Sequence, residues 1–279
     1  DLYGSVPAEA QLPPGPVHIL TDAAGSLTRL QARQLGATLL DSFVVADGAA
    51  VPETLLDAEE VYGRMRSGAR VSTAQMANTE RHQHYAAIRN RFEKVLYLTV
   101  GSAYTGNAAA AREWQQSHDP DGRLTVLDTG AASGRLGLIA LATARFASRA
   151  SGAQEVVRFA KMAMADCEEL VFLDQLKYLA AGGRISKTGG FFGDLFGVKP
   201  VVSPKAGGVE KVAVVRHAGA QVPLALEHLD TALAQASAPL ILLQHTDNRQ
   251  RVTDEIRPAL EARFPGAEIL LSPLSLTAG

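Results

Sequence analysis

Three segments of this chain bring hydroxyls, amides and small residues together in the way a bound oxyanion requires. They are Thr21-Asp22-Ala23-Ala24-Gly25-Ser26, Val71-Ser72-Thr73-Ala74-Gln75 and Gly101-Ser102-Ala103-Tyr104-Thr105-Gly106-Asn107. Each reads as a loop that follows a strand. A loop that opens a helix offers unpaired N–H groups and the positive end of the helix dipole to an anion. Serine and threonine hydroxyls add neutral donors, which can hold a carboxylate without a full ion pair. The same residue types also make caps and turns, so residue type alone leaves both readings open. A fourth segment, Phe172 to Ser186, runs from an apolar stretch through a short helix into Gly182-Gly183-Arg184. Paired glycines open backbone conformations closed to other residues. Arg184 then supplies a fixed cation with a planar fork of donors.

Other candidates are weaker. Asp22 can act as a general base or metal ligand, but no second carboxylate lies near it in sequence, and a cap for the following helix is the simpler role. His82 and His84 on a helix point about 200° apart, which is poor for sharing one metal. His245 closes a strand before Thr246-Asp247-Asn248, as a catalytic group or as a strand-end turn. No Gly-x-Ser-x-Gly elbow, Walker loop or dinucleotide fingerprint is present. Ser186-Lys187-Thr188 lacks the Gly-Lys pair of a phosphate loop. The sole cysteine, Cys167, lies between Asp166 and Glu168. Acidic neighbours raise a thiol pKa, so the residue reads as inert, and no disulfide framework or thiolate metal cage is available.

The elements that must position these loops alternate. Strands are expected at Val17–Leu20, Leu39–Val45, Val95–Val100, Leu124–Leu127, Leu170–Leu173, Lys199–Val202, Val209–Val215, Leu240–Gln244 and Glu268–Leu271. Helices are expected at about 27–35, from Asp57 as cap through Met65, through Trp114, on both sides of Ser151-Gly152, and at about 175–181, 220–235 and 250–263. Ser151 with Gln154 has capping-box spacing. This alternation predicts an α/β fold, with a largely parallel sheet in the first domain and a mixed sheet in the second. The hairpin Lys199–Val215 makes the second half mixed. Residues 1–16, polar and Pro-rich, read as a tail or expression remnant. Domains are expected at 17–160 and 161–279.

Composition sets limits. With 279 residues and 47% hydrophobic content the chain can bury a sizeable core. A formal charge of −2 argues against a surface-wide nucleic-acid interface. No stretch approaches the length of a membrane span, and no signal-peptide pattern opens the chain. A reducing, cytoplasmic location fits the cysteine usage.

Taken in order, the motifs resemble the DegV family of bacterial fatty-acid-binding proteins, over residues 17–279. Thr21-Asp22 through Leu27 is similar to the family's opening TDSxxDL segment, with Gly25-Ser26 departing. Ser72-Thr73-Ala74-Gln75 is similar to its TSQP loop, here TAQM. Gly101 to Asn107 is similar to its SSxLSGT loop. Leu176 to Ser186 keeps its LxYLxxGGRIS core intact, and Val198-Lys199-Pro200 its I-K-P strand start. The resemblance implies two α/β domains with an apolar tunnel between them. One long-chain fatty acid lies there, its carboxylate held by a threonine and a serine, which carry over to Thr73 and Ser102. Thr21, Asp22, Ala103 and Arg184 fall in the head-group vicinity. It further implies a substrate-presenting protein that is not itself an enzyme. It would hand the acid to a separate ATP-using fatty acid kinase for acyl-phosphate formation, with Arg216 facing that partner. No cofactor, nucleic-acid partner or stable membrane insertion is implied. The family's His-x-Gly-Pro-Gly segment would begin about where this chain stops, so a truncated carboxyl terminus is expected. The alternative is a hydrolase or transferase acting on an acyl or phosphorylated small molecule through Asp22, Ser102 or His245.

Overall fold

The structure, a computed structural model, describes residues 11–174 and 199–278. Contacts divide the chain into two units, Asp1–Cys167 with Leu274–Gly279, and Glu168–Pro273. The boundary expected at 160/161 falls inside a helix, Ala153–Asp166, which belongs whole to the first unit.

The first unit is built on four parallel strands: β1 (His18–Asp22), β2 (Thr38–Leu40), β6 (Val95–Thr99) and β7 (Leu124–Asp128), in spatial order β2-β1-β6-β7. Every residue of β6 is buried, as expected of a central parallel strand covered on both faces. Alternation along the strand divides its side chains between those faces. Tyr97 and Val95 join Leu20 and Leu40 in a core with Tyr85 and Ile88 of α3 (Asn78–Arg91) and Trp114 of α4 (Asn107–His118). Leu96 and Leu98 are fully buried on the opposite face, where α5 (Ser133–Ala147) packs on β1 and β6. This helix is apolar nearly all round, and such a helix must be covered on both sides. Its outer cover is α6 (Ala153–Asp166), with Phe146 stacked on Phe159 at 4.3 Å. Gly137 of α5 approaches the loop after β1 so closely that a Cβ there would sit 2.0 Å from the Gly25 carbonyl oxygen.

The expected single strand at Leu39–Val45 is instead two. β2 ends at Leu40 and β3 begins at Phe43, leaving for a separate antiparallel sheet ordered β4-β3-β5, with β3 (Phe43–Ala46), β4 (Ala49–Pro52) and β5 (Val71–Ala74). Asp41 fills the break, accepting from Arg29 and from the Thr54 hydroxyl. Asp47-Gly48, with φ of 52° and 81°, makes the two-residue turn whose twist suits a hairpin. The segment Val71–Gln75, expected as a loop, is strand as far as Ala74. Asp57 does cap its helix, α2 (Ala58–Arg66), accepting from the Glu59 N–H at 2.9 Å. The expected Ser151–Gln154 box does not form. Gly152 is the N-cap of α6, and Glu155 reaches back to accept from the Ser151 N–H.

In the second unit the described strands form two sheets. β8 (Val171–Phe172), β9 (Lys199–Lys205) and β10 (Gly208–Val215) are antiparallel in the order β10-β9-β8, which bears out the expected hairpin. β11 (Leu240–His245) and β12 (Glu268–Pro273) pair in parallel, joined by a helical segment that runs Arg249–Arg251, Val252–Ile256 as a π turn, and Arg257–Arg263. After β12 the chain rejoins the first unit. Ser275 and Thr277 donate their hydroxyls to the two oxygens of buried Glu53, at 2.6 and 2.7 Å. Among the described residues no helix is long and apolar enough to cross a membrane.

Candidate functional site

In the parallel sheet, β1 leads to β2 on one side and β6 leads to β7 on the other. The winding therefore reverses between β1 and β6, and the carboxyl ends of such a strand pair form the crevice where open α/β sheets take ligands. Asp22 stands at the end of β1, and the segment Val100–Asn107 leaves the end of β6.

Asp22 is 1% exposed. Its side chain does not cap the helical turn that follows, the role expected of it. Instead Oδ1 accepts the Tyr97 hydroxyl at 2.5 Å, and Oδ2 accepts the Val100 N–H at 2.7 Å. The reason is geometric: β1 and β6 run side by side in register, so the end of one strand faces the end of the other. Burial raises the Asp22 pKa, against opposing hydrogen bonds from Tyr97 and Val100, the nearby Asn107 amide and the Arg81 charge. On the other flank, Asp128 at the end of β7 accepts the Ser102 N–H at 3.1 Å and the Gly130 N–H at 3.2 Å. The β6–α4 loop is thus clamped by one carboxylate from each neighbouring strand. Close packing adds to the clamp, since a Cβ on Gly101 would lie 2.8 Å from the Gly130 backbone.

This clamp fixes Ser102 while leaving it exposed. Among the described residues its hydroxyl makes no hydrogen bond. Ala103 is half-buried in the same loop. Thr73 is half-buried and lies on β5, an edge strand, opposite Val44. Thr21 is fully buried and donates its hydroxyl to the Leu98 carbonyl at 2.9 Å, so it ties β1 to β6. Arg216 is exposed just past β10 in the second unit and, among the described residues, forms no ion pair. Arg184 and the Gly182-Gly183 turn lie outside the described residues. His245 ends β11, its Nδ1 3.1 Å from the Thr246 carbonyl oxygen.

A small cavity of about 10 Å³ opens at this strand end, lined by Asp22, Tyr97, Asn107, Arg81, Gln75 and Met76 among others. It joins the segment after Thr73 to the end of the Ser102 loop, although neither Thr73 nor Ser102 lines it. Sequence reasoning missed Arg81 and Tyr97. Both carry a visible signal. Arg81 precedes Tyr85 and Ile88 by four and seven positions on the buried stripe of α3, and Tyr97 interrupts an otherwise apolar run in the central strand.

The model of the DegV family matches residues 16–279. A DegV domain-containing protein of Deinococcus radiodurans is 27% identical over 202 residues, covering 72% of this chain and 71% of the relative. Among solved structures, a fatty-acid-binding DegV family protein from Thermus thermophilus superposes with a TM-score of 0.84 at 22% identity, covering 94% of each chain. The Streptococcus pneumoniae fatty acid kinase B3 protein, loaded with linoleic acid, gives 0.76 at 17% identity over 92% of each chain. At these identities the superpositions establish the α/β fold.

Proposed function

Since this chain belongs to the DegV family, we propose that it binds one long-chain fatty acid, with the carboxylate held by the Thr73 and Ser102 hydroxyls, and presents it to a separate kinase that forms the acyl-phosphate. The observation that carries this reading is Ser102, an exposed hydroxyl on a loop held from both sides by Asp22 and Asp128 at the switch point of the sheet. A rigid neutral donor suits a carboxylate that must be held yet keep an oxygen available for transfer, and a buried carboxylate cannot be left unpaired. A chain of about 14 methylenes gains on the order of 11 kcal/mol gross on leaving water, much of it offset by association and ordering. The kinase role follows from likeness to the pneumococcal protein named above, and exposed Arg216 is the residue assigned to that contact.

Native mass spectrometry followed by solvent extraction tests the reading. One long-chain fatty acid per chain is expected. The double variant Thr73→Val/Ser102→Ala should fold normally and lose most of its bound lipid. Full lipid retention in that variant would remove the two hydroxyls from the head-group site.

A further inference from the structure

Arg81 is 5% exposed, and among the described residues it forms no ion pair. Both of its hydrogen bonds leave from Nη2 and go to neutral acceptors, the Gln75 side-chain oxygen at 3.3 Å and the Met76 carbonyl at 3.0 Å. A guanidinium carries five donors, so those on Nε and Nη1 have no acceptor among the described residues. Asp22 lies within electrostatic reach of Arg81 but forms no direct ion pair with it, and a largely buried charge without a hydrogen-bonded counter-charge is expensive. The two acids of the cavity are otherwise engaged. Asp22 accepts from Tyr97 and Val100, and Asp41 accepts from Arg29 and Thr54. Asn107, 7% exposed, lines the same cavity; its side-chain oxygen has no hydrogen-bond partner and, being an acceptor, is satisfied by a donor such as water and not by a carboxylate oxygen. The cavity that Arg81 and Asn107 line, about 10 Å³, admits one oxygen-sized group.

The placement of Arg81 links it to the head-group loops. Its two acceptors lie immediately after Thr73-Ala74, and Asn107 ends the loop that begins with Gly101-Ser102. We propose that Arg81 is the specificity-determining cation of this site: it pairs with the carboxylate of the bound acid and makes the protein selective for ionised lipids over neutral ones of the same length. This rests on the lipid-binding reading above. Hydroxyls alone bind an acid or an alcohol with similar ease, whereas a buried guanidinium rewards a negative charge.

The test is a pair of titrations, with palmitic acid and with hexadecanol, on the delipidated protein. Wild type should bind the acid at least about tenfold tighter, the scale of one charge-assisted hydrogen bond. Arg81→Met should lose about tenfold or more for the acid and stay within about twofold for the alcohol. Gln75→Glu serves as a second variant that keeps Arg81 in place. It supplies an internal carboxylate to the guanidinium, and should lower acid affinity while leaving alcohol affinity unchanged, whether or not Arg81→Met folds. Unchanged acid affinity in either variant, or equal losses for acid and alcohol, would overturn the assignment of Arg81 while leaving lipid binding intact. Failure of the wild type to bind either probe would overturn the lipid-binding reading itself, and this inference with it.

Discussion

Removing the Asp22 carboxylate should destabilise the first unit through the two donors it leaves behind. The Tyr97 hydroxyl and the Val100 N–H both end on Asp22, at 2.5 and 2.7 Å, and Tyr97 is fully buried. Neither donor can turn to solvent, and an orphaned buried donor costs about 1–3 kcal/mol. Asp22→Ala should therefore cost about 2–6 kcal/mol, a large share of the roughly 5–15 kcal/mol that holds a typical domain together. Tyr97→Phe in the same background deletes one of the two orphans. The double variant should be more stable than the sum of the single effects by about 1–3 kcal/mol. Trp114, the only tryptophan in the chain, lies 3% exposed in the same core, so its fluorescence during urea unfolding reports this unit. Additivity within about 0.5 kcal/mol would refute the reasoning, because it would mean that the two side chains do not depend on each other. The pH dependence gives a second readout. Burial raises the folded-state pKa of Asp22, so the folded protein holds this proton more tightly than the unfolded chain does. The stability contributed by the neutral form is present below the ordinary carboxylate value near 4 and is lost as pH rises through the folded value. Asp22→Asn should flatten that decline.

Beyond the head-group and Arg81 variants, two outcomes are expected. Gly137→Ala drives a methyl into the Gly25 carbonyl at 2.0 Å; it should cost about 3 kcal/mol or more, and an unfolding midpoint matching wild type would show that α5 can move away freely. His18, stacked on Phe92 at 3.6 Å, has its pKa lowered to about 4 by burial first and by the Arg91 charge second. The unfolded chain takes up a proton near 6.5 that the fold resists, so stability should fall as pH drops from about 6.5 toward 4, and His18→Gln should lessen that fall when unfolding is followed across this range.

Much of the architecture is legible in local pattern. The apolar runs at Val17–Leu20, Val95–Val100 and Leu124–Leu127 mark three strands of the parallel sheet, because a strand buried on both faces must be apolar at successive positions. Asp57 is a readable cap, and Asp47-Gly48 between Phe43-Val44-Val45-Ala46 and Ala49-Ala50-Val51 is a hairpin signal. The split of Leu39–Val45 is harder to read. A continuous apolar run does not say where the chain leaves one sheet for another, and that depends on which neighbour each half pairs with.

The sequence determined the α/β class, the small-residue segments that begin at Thr21 and Gly101 at strand ends, and the family to which they belong; it misplaced the segment at Val71, which is itself a strand. What it determined rests on periodicity, caps and turn residues, which act over a few positions. Only the tertiary structure decided what Asp22 does. As a local signal it is a helix cap, but its partners are Tyr97 and Val100, 75 and 78 residues away, brought alongside by the parallel register of β1 on β6. The same holds for Asp128 on Ser102 and for Arg81 at the cavity. A buried charge or donor is satisfied by whatever the packed sheet sets within about 3 Å, and that neighbour is a property of strand order and register rather than of the residues beside it in the chain.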